Sequence, residues 1–308
     1  MRNIQKYKGI VPAFYACYED DGKVSPARTR KMAEYLIDKG VQGLYVNGSS
    51  GECIYLSVAE RKQILESVLE VAKGRITVIA HVGCNNTADS VELAAHAESV
   101  GVDAIASIPP IYFRLPDYAI ADYWNEIGAA APNTDFFLYN IPQTTGVELS
   151  VSLYKEMLQN PQVVGVKNSS LLVQDIQNFK AAGGDSHIVY NGPDEQLASG
   201  LAAGADGGIG GTYSVMPELF LKIKNRMDAG DVKTASQIQA DVYAIIGKLV
   251  SGHGNLYSIM KGVLRLQGIE VGDVRKPLPA ATEADQALIQ ECYRTIEETI
   301  QKYKGIPA

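Results

Sequence analysis

Apolar residues in this chain gather in short runs, such as Val163-Val164-Gly165-Val166, separated by longer helix-like stretches. Runs of that kind read as strands buried on both faces, as in a parallel sheet. The pattern predicts eight strands, near 9–13, 43–47, 76–82, 103–108, 135–140, 163–167, 187–191 and 206–210. Helix punctuation fills the intervals. Ser25-Pro26 is an N-cap followed by proline at the first helical position, and Gly40 closes that helix. Ser57-Val58-Ala59-Glu60 is a capping box ahead of Arg61-Lys62-Gln63-Ile64-Leu65, with Gly74 ending that segment. A third helix is expected over 87–100, closed by Gly101. Beyond the eighth strand the pattern is mostly helical, near 217–228, 231–249, 255–267 and 282–303. Pro277-Leu278-Pro279 breaks the chain before the last of these.

Eightfold strand–helix alternation predicts an α/β fold, specifically a (β/α)8 TIM barrel over 1–230. Residues 231–308 are expected to form a C-terminal helical extension packed on the barrel as part of one structural unit. A doubly wound open sheet is the alternative, because alternation alone does not count closure. The length of 308 residues, 46% of them apolar, is ample for such a core.

Composition narrows the function by exclusion. The net charge of −7 and the lack of any basic cluster with interleaved aromatics argue against nucleic acid and anionic membranes as partners. The polar opening Met1–Lys8 lacks the apolar centre of a signal peptide, and no run of about 18 apolar residues could span a bilayer. Cys17, Cys53, Cys84 and Cys292 are widely spaced, which fits reduced thiols in a cytoplasm better than a disulfide framework. The histidines His81, His96, His187 and His253 have no metal-ligand spacing, so no metal is expected. His81 and His187, beside apolar segments, read as packed or edge residues.

In a barrel of this type the active site lies at the C-terminal ends of the strands, and the unusual residues fall there. Lys167 ends strand six. Burial disfavours a charged amine, and the neutral amine is the form that attacks a carbonyl carbon to give a Schiff base. Alone, a lysine at a strand end is more often a solvated edge charge. Strand two runs into Gly48-Ser49-Ser50-Gly51-Glu52, a tight turn suited to cradling a carboxylate, or an ordinary serine-capped turn. Strand four leads to Pro109-Pro110-Ile111-Tyr112-Phe113, where Tyr112 suits an interface or core as readily as catalysis. Tyr139, in strand five, is a candidate proton carrier or simple core packing. Asn191-Gly192-Pro193-Asp194-Glu195 follows strand seven, with acids that cap a helix or hold substrate hydroxyls. Gly207-Gly208-Ile209-Gly210-Gly211-Thr212 after strand eight is a phosphate cradle or a close-packing device.

Taken in order, Gly48–Glu52, Tyr139-Asn140-Ile141-Pro142, Gly165-Val166-Lys167 and Gly204–Gly210, with Arg275–Pro279 near the end, resemble the N-acetylneuraminate lyase and dihydrodipicolinate synthase superfamily. The resemblance covers nearly the whole chain. It implies a (β/α)8 barrel, usually a homotetramer, that forms a Schiff base with pyruvate-type substrates and needs no cofactor or metal. By motif, Lys167 is the expected Schiff-base lysine, Tyr139 the proton-transfer tyrosine, and Ser49 and Ser50 the pair that grips the α-keto carboxylate. Tyr112 matches a tyrosine that reaches a neighbouring active site. Dihydrodipicolinate synthases usually carry an arginine after the tyrosine motif, where this chain has Gln143-Thr144-Thr145-Gly146. Gly192, Asp194 and Glu195 resemble the lyase branch, in which they bind the polyol tail of a sugar acid. The resemblance therefore implies a Schiff-base aldolase cleaving sialic acid to N-acetylmannosamine and pyruvate. The alternatives are a related aldolase for another keto-deoxy sugar acid, dihydrodipicolinate synthase, and a silent keto-acid-binding relative. One departure stands out: lyases commonly have serine where this chain has Gly211.

Overall fold

The computed structural model describes residues 3–306. Met1, Arg2, Pro307 and Ala308, which the expected spans 1–230 and 231–308 include, lie outside it. The strands are β1 (Gly9–Pro12), β2 (Gly43–Val46), β3 (Thr77–His81), β4 (Ala104–Ser107), β5 (Asp135–Asn140), β6 (Val163–Asn168), β7 (Ile188–Asn191) and β8 (Gly207–Gly210). All pair in parallel, in the order β1-β8-β7-β6-β5-β4-β3-β2. A parallel bridge between Ala13 and Tyr45 joins the two ends of that order, reinforced by the Phe14 N–H donating to the Tyr45 carbonyl at 2.9 Å. The eight-stranded TIM barrel is thus closed, and the open sheet is set aside. Glycine is needed at the β1–β8 seam: a Cβ on Gly207 would lie 2.0 Å from the Gly9 carbonyl oxygen.

The surrounding helices are α1 (Pro26–Asp38), α2 (Val58–Ala72), α3 (Thr87–Val100), α4 (Asp117–Ala130), α5 (Pro142–Thr145), α6 (Val151–Met157), α7 (Gln174–Gly183), α8 (Leu197–Ala202) and α9 (Pro217–Asp228). The extension comprises α10 (Val232–Leu249), α11 (Leu256–Leu266) and α12 (Gln286–Tyr303). The expected caps are in place. Ser25 accepts from the Arg28 N–H at 3.2 Å, and Ser57 and Glu60 form a reciprocal capping box. Each such cap is worth about 1 kcal/mol.

Two apolar layers follow from strand alternation. Inside the barrel lie Val11, Tyr45, Ile79, Phe137, Tyr139, Val164 and Tyr190; between strands and helices lie Leu44, Val46, Phe136, Leu138, Val163 and Val166. Residues of the extension, including Ile238, Val242, Met260 and Ile289, belong to that same outer layer. Tyr7 plugs the floor, its hydroxyl donating to Asp135 Oδ2 at 2.7 Å. Among the described residues no helix is long and apolar enough to cross a membrane.

One irregularity sets the site. The β5–β6 register shifts between Phe136 and Phe137, which pair with Val163 and Gly165 and leave Val164 as an extra residue. Val163 faces outward and Val164 inward, yet Val166 faces outward again. Strict alternation from Val163 would turn Lys167 toward the helices. The bulge turns it into the barrel, in register with Tyr139.

Candidate active site

At the C-terminal mouth is a cavity of about 320 Å³, a size suited to a small metabolite. Its lining gathers, from different strand ends, Ser49 and Ser50 after β2, Tyr139 on β5, Lys167 on β6, Gly192, Asp194 and Glu195 after β7, and Gly211 after β8. Eight of the ten residues singled out from sequence therefore meet in one place.

Lys167 is 4% exposed, with its amine 4.0 Å from the centre of the Tyr139 ring and 4.4 Å from that of Tyr45. Among the described residues it has no ion-pair partner, and it is the only cation lining the cavity. His81, also inside the barrel, packs edge-on to Tyr139 with ring centres 6.1 Å apart. Burial, and next the Arg61 cation, hold its imidazole well below the usual histidine range, so it is a neutral packed residue as expected.

A second buried lysine makes a useful contrast. Lys261, on α11, donates to Glu52 Oε1 at 2.8 Å and to the Asp273 carbonyl at 2.9 Å, with both ion-pair side chains fully buried. Glu52 also accepts from the Arg275 N–H at 2.8 Å. It sits in the left-handed region (φ 54°, ψ 31°) directly after the single 3-10 turn Ser49–Gly51. The serine loop is thus clamped to the extension through Glu52. Removing one partner of a buried pair strands the other charge, so Lys261→Met is expected to cost about 3–5 kcal/mol in urea unfolding. It should also raise the KM for any ligand held by Ser49 and Ser50; wild-type stability and KM in this variant would refute the clamp.

On the opposite wall Asp194 accepts from the Thr212 N–H at 2.7 Å and from the Thr212 hydroxyl at 2.6 Å. Burial pushes its carboxyl up to about 6, while those two hydrogen bonds pull the other way. Gly210 is fitted to it, since a Cβ there would lie 1.9 Å from Asp194 Oδ1. Gly192 is likewise closely packed: a Cβ there would lie 2.8 Å from both the Asn168 carbonyl oxygen and the Ser169 Cα. Glu195 is exposed at the rim. The glycines of β8 therefore serve close packing, against Gly9, Tyr213 and Asp194.

Two expected residues lie elsewhere. Thr144 is exposed on the single turn α5, its hydroxyl donating to the Ile141 carbonyl at 3.3 Å, and its neighbour Gln143 faces the cavity instead. Tyr112 is 88% exposed, in the left-handed region (φ 85°), and stacks edge-on with the exposed Phe113 outside the cavity. The sequence reading missed Gln143, Ser169, Met260 and Tyr257. Tyr257 comes from α11 and accepts from Ser50 Oγ at 3.4 Å. Among the described residues no group of three or more His, Cys, Asp and Glu side chains is gathered to hold a metal ion.

Residues 6–296 match the Dihydrodipicolinate synthetase family. The chain is 56% identical to N-acetylneuraminate lyase of Mediterraneibacter gnavus over 304 residues, 98% of this chain and 96% of that protein. In structure it is similar to a catalytic lysine mutant of Ruminococcus gnavus sialic acid aldolase, with TM-score 0.97 and 56% identity over 98% of this chain and 100% of that one. It is also similar to a dihydrodipicolinate synthase of Bacillus anthracis, with TM-score 0.86 and 26% identity over 98% and 99% of the two chains.

Proposed function

Because the chain belongs to the dihydrodipicolinate synthetase family, we propose that its cavity cleaves N-acetylneuraminate to N-acetylmannosamine and pyruvate through a Schiff base on Lys167. The enzyme is a carbon–carbon lyase of the aldolase type. The observation that carries the assignment of Lys167 is its unpaired, buried amine at the base of the cavity beside Tyr139. A structural lysine at such depth would be paired as Lys261 is. The catalytic lysine of the Ruminococcus gnavus relative supports the same role.

In the proposed mechanism the amine attacks the C2 ketone of the open-chain sugar acid, and water leaves to give an iminium. Tyr139, directly or through the substrate carboxylate, takes the proton from the C4 hydroxyl. The C3–C4 electron pair then flows into the iminium, releasing the aldehyde and leaving an enamine. Protonation at C3 and hydrolysis return pyruvate and the free lysine. Ser49 and Ser50 hold the carboxylate so that the reacting atoms stay in line. Gly192, Asp194 and Glu195 receive the hydroxylated tail.

The lining favours this substrate over one with two carboxylates. The serine pair takes one acid group, and the far wall offers Asp194 and Glu195, acceptors that suit hydroxyl donors and repel a second carboxylate. Neither Gln143 nor Thr144 supplies a cation. We read Tyr112, with Phe113, as a subunit contact within a homotetramer, where it completes a neighbouring site. Barrel and extension act as one unit, and the four free cysteines fit a cytoplasmic enzyme.

Turnover of N-acetylneuraminate against a panel of keto-deoxy acids tests the substrate, and borohydride reduction with pyruvate tests the Schiff base. No adduct on Lys167 would sink the mechanism, and a better panel substrate would replace the sugar acid. The wall acid gives a pH signature as well. Ionised Asp194 accepts substrate hydroxyls, so kcat/KM should fall as pH drops through about 6. Thr212→Val removes a hydrogen bond that lowers this value, and should move the acid limb upward by about 0.5–1 unit. An unmoved limb would assign it to another group.

A further inference from the structure

We propose that Tyr257 is a positioning residue that replaces the hydroxyl lacking at Gly211, holding Ser50 against the substrate carboxylate. This rests on the reading of Ser50 as a carboxylate ligand. Gly211 has φ −72° and ψ −45°, ordinary right-handed backbone open to any residue, so its conformation does not demand glycine. A Cβ at 211 would lie 3.0 Å from Ser50 Oγ, which would have to give by a few tenths of an ångström, and 3.7 Å from Tyr257 Cε1, an ordinary contact. The Ser50 hydroxyl and the edge of the Tyr257 ring are thus the nearest neighbours of any side chain placed at 211.

The ring is held there from two sides. Asn255 caps α11 by accepting from the Tyr257 N–H at 3.0 Å. Tyr15 lies beside it, ring centres 6.1 Å apart, and its own hydroxyl donates to the Gly211 carbonyl at 2.6 Å. One shell residue therefore fixes both members of the pair. The Tyr257 and Ser50 oxygens lie 3.4 Å apart at the cavity wall. Two hydroxyls in contact share one proton between them, and the other stays free for a ligand carboxylate. Burial pushes the Tyr257 phenol up to about 12, which keeps its proton in place through the neutral range. Gly211 and Tyr257 are thus a matched pair, with the hydroxyl delivered from the extension and not from the β8 loop.

The test uses Tyr257→Phe, Gly211→Ser and the double variant, each read by the pyruvate concentration that half-saturates borohydride trapping on Lys167, and by KM and kcat for N-acetylneuraminate. Thermal melts confirm that each folds. Tyr257→Phe should raise half-saturating pyruvate by about 5- to 20-fold, with KM rising more than kcat falls. Gly211→Ser should weaken binding by pressing on Ser50. The double variant, with the phenol oxygen gone and a hydroxyl restored at 211, should bind better than the product of the single effects. Unchanged half-saturation in Tyr257→Phe, or multiplicative losses in the double variant, would overturn the pairing. A parent enzyme that traps no pyruvate overturns the Schiff-base reading itself, which separates the two failures.

Discussion

Replacing Lys167 with alanine is expected to lower N-acetylneuraminate turnover by at least about 10⁴-fold, because no other group can form the covalent intermediate. Among the described residues no amine other than Lys167 lines the cavity. The fold should survive, since among the described residues the lysine has no ion pair to break and its amine lies only against the Tyr45 and Tyr139 rings. The measurement is aldehyde and pyruvate release, together with mass analysis after borohydride and pyruvate. Activity above about 1% of the parent, or an adduct persisting in the alanine variant, would move the chemistry to another residue.

Tyr139→Phe separates the proton-transfer step from imine formation. It keeps the ring that packs on Lys167, Tyr45 and His81 and removes only the hydroxyl. The expected loss is about 10²–10³-fold in kcat, in the range of a general acid–base group. The amine remains, so trapping of pyruvate on Lys167 should continue. Unchanged kcat would strip Tyr139 of the proton and leave it as packing; loss of trapping would give it a part in imine formation as well.

Most of the site was legible because a barrel gathers its chemistry by rule. Once eight strands are counted, the ends of β2, β5, β6, β7 and β8 must face one mouth, and Ser49, Ser50, Tyr139, Lys167, Gly192, Asp194, Glu195 and Gly211 follow. What escaped has identifiable causes. The direction in which Lys167 points depends on the extra residue Val164, and a bulge leaves no mark in a run of valines. Tyr257 lies in a helix that reads only as packing, and nothing in its periodicity says which end of the barrel the extension reaches. Thr144 and Gln143 exchange places because a single helical turn after Pro142 rotates neighbours by about 100°. The place of Tyr112 depends on what packs against an exposed turn, which lies beyond the reach of intrachain patterning.

The Glu52–Lys261 clamp joins positions 209 residues apart. During synthesis the serine loop emerges long before its counter-ion, and the barrel strands can pair while Glu52 still lacks it. A carboxylate destined for full burial must stay hydrated through that interval. The substrate cradle is therefore expected to set only after α11 docks, so that secondary structure recovers first in refolding and pyruvate binding returns last. The enzyme would pass through a stage in which it is already a barrel but not yet a catalyst.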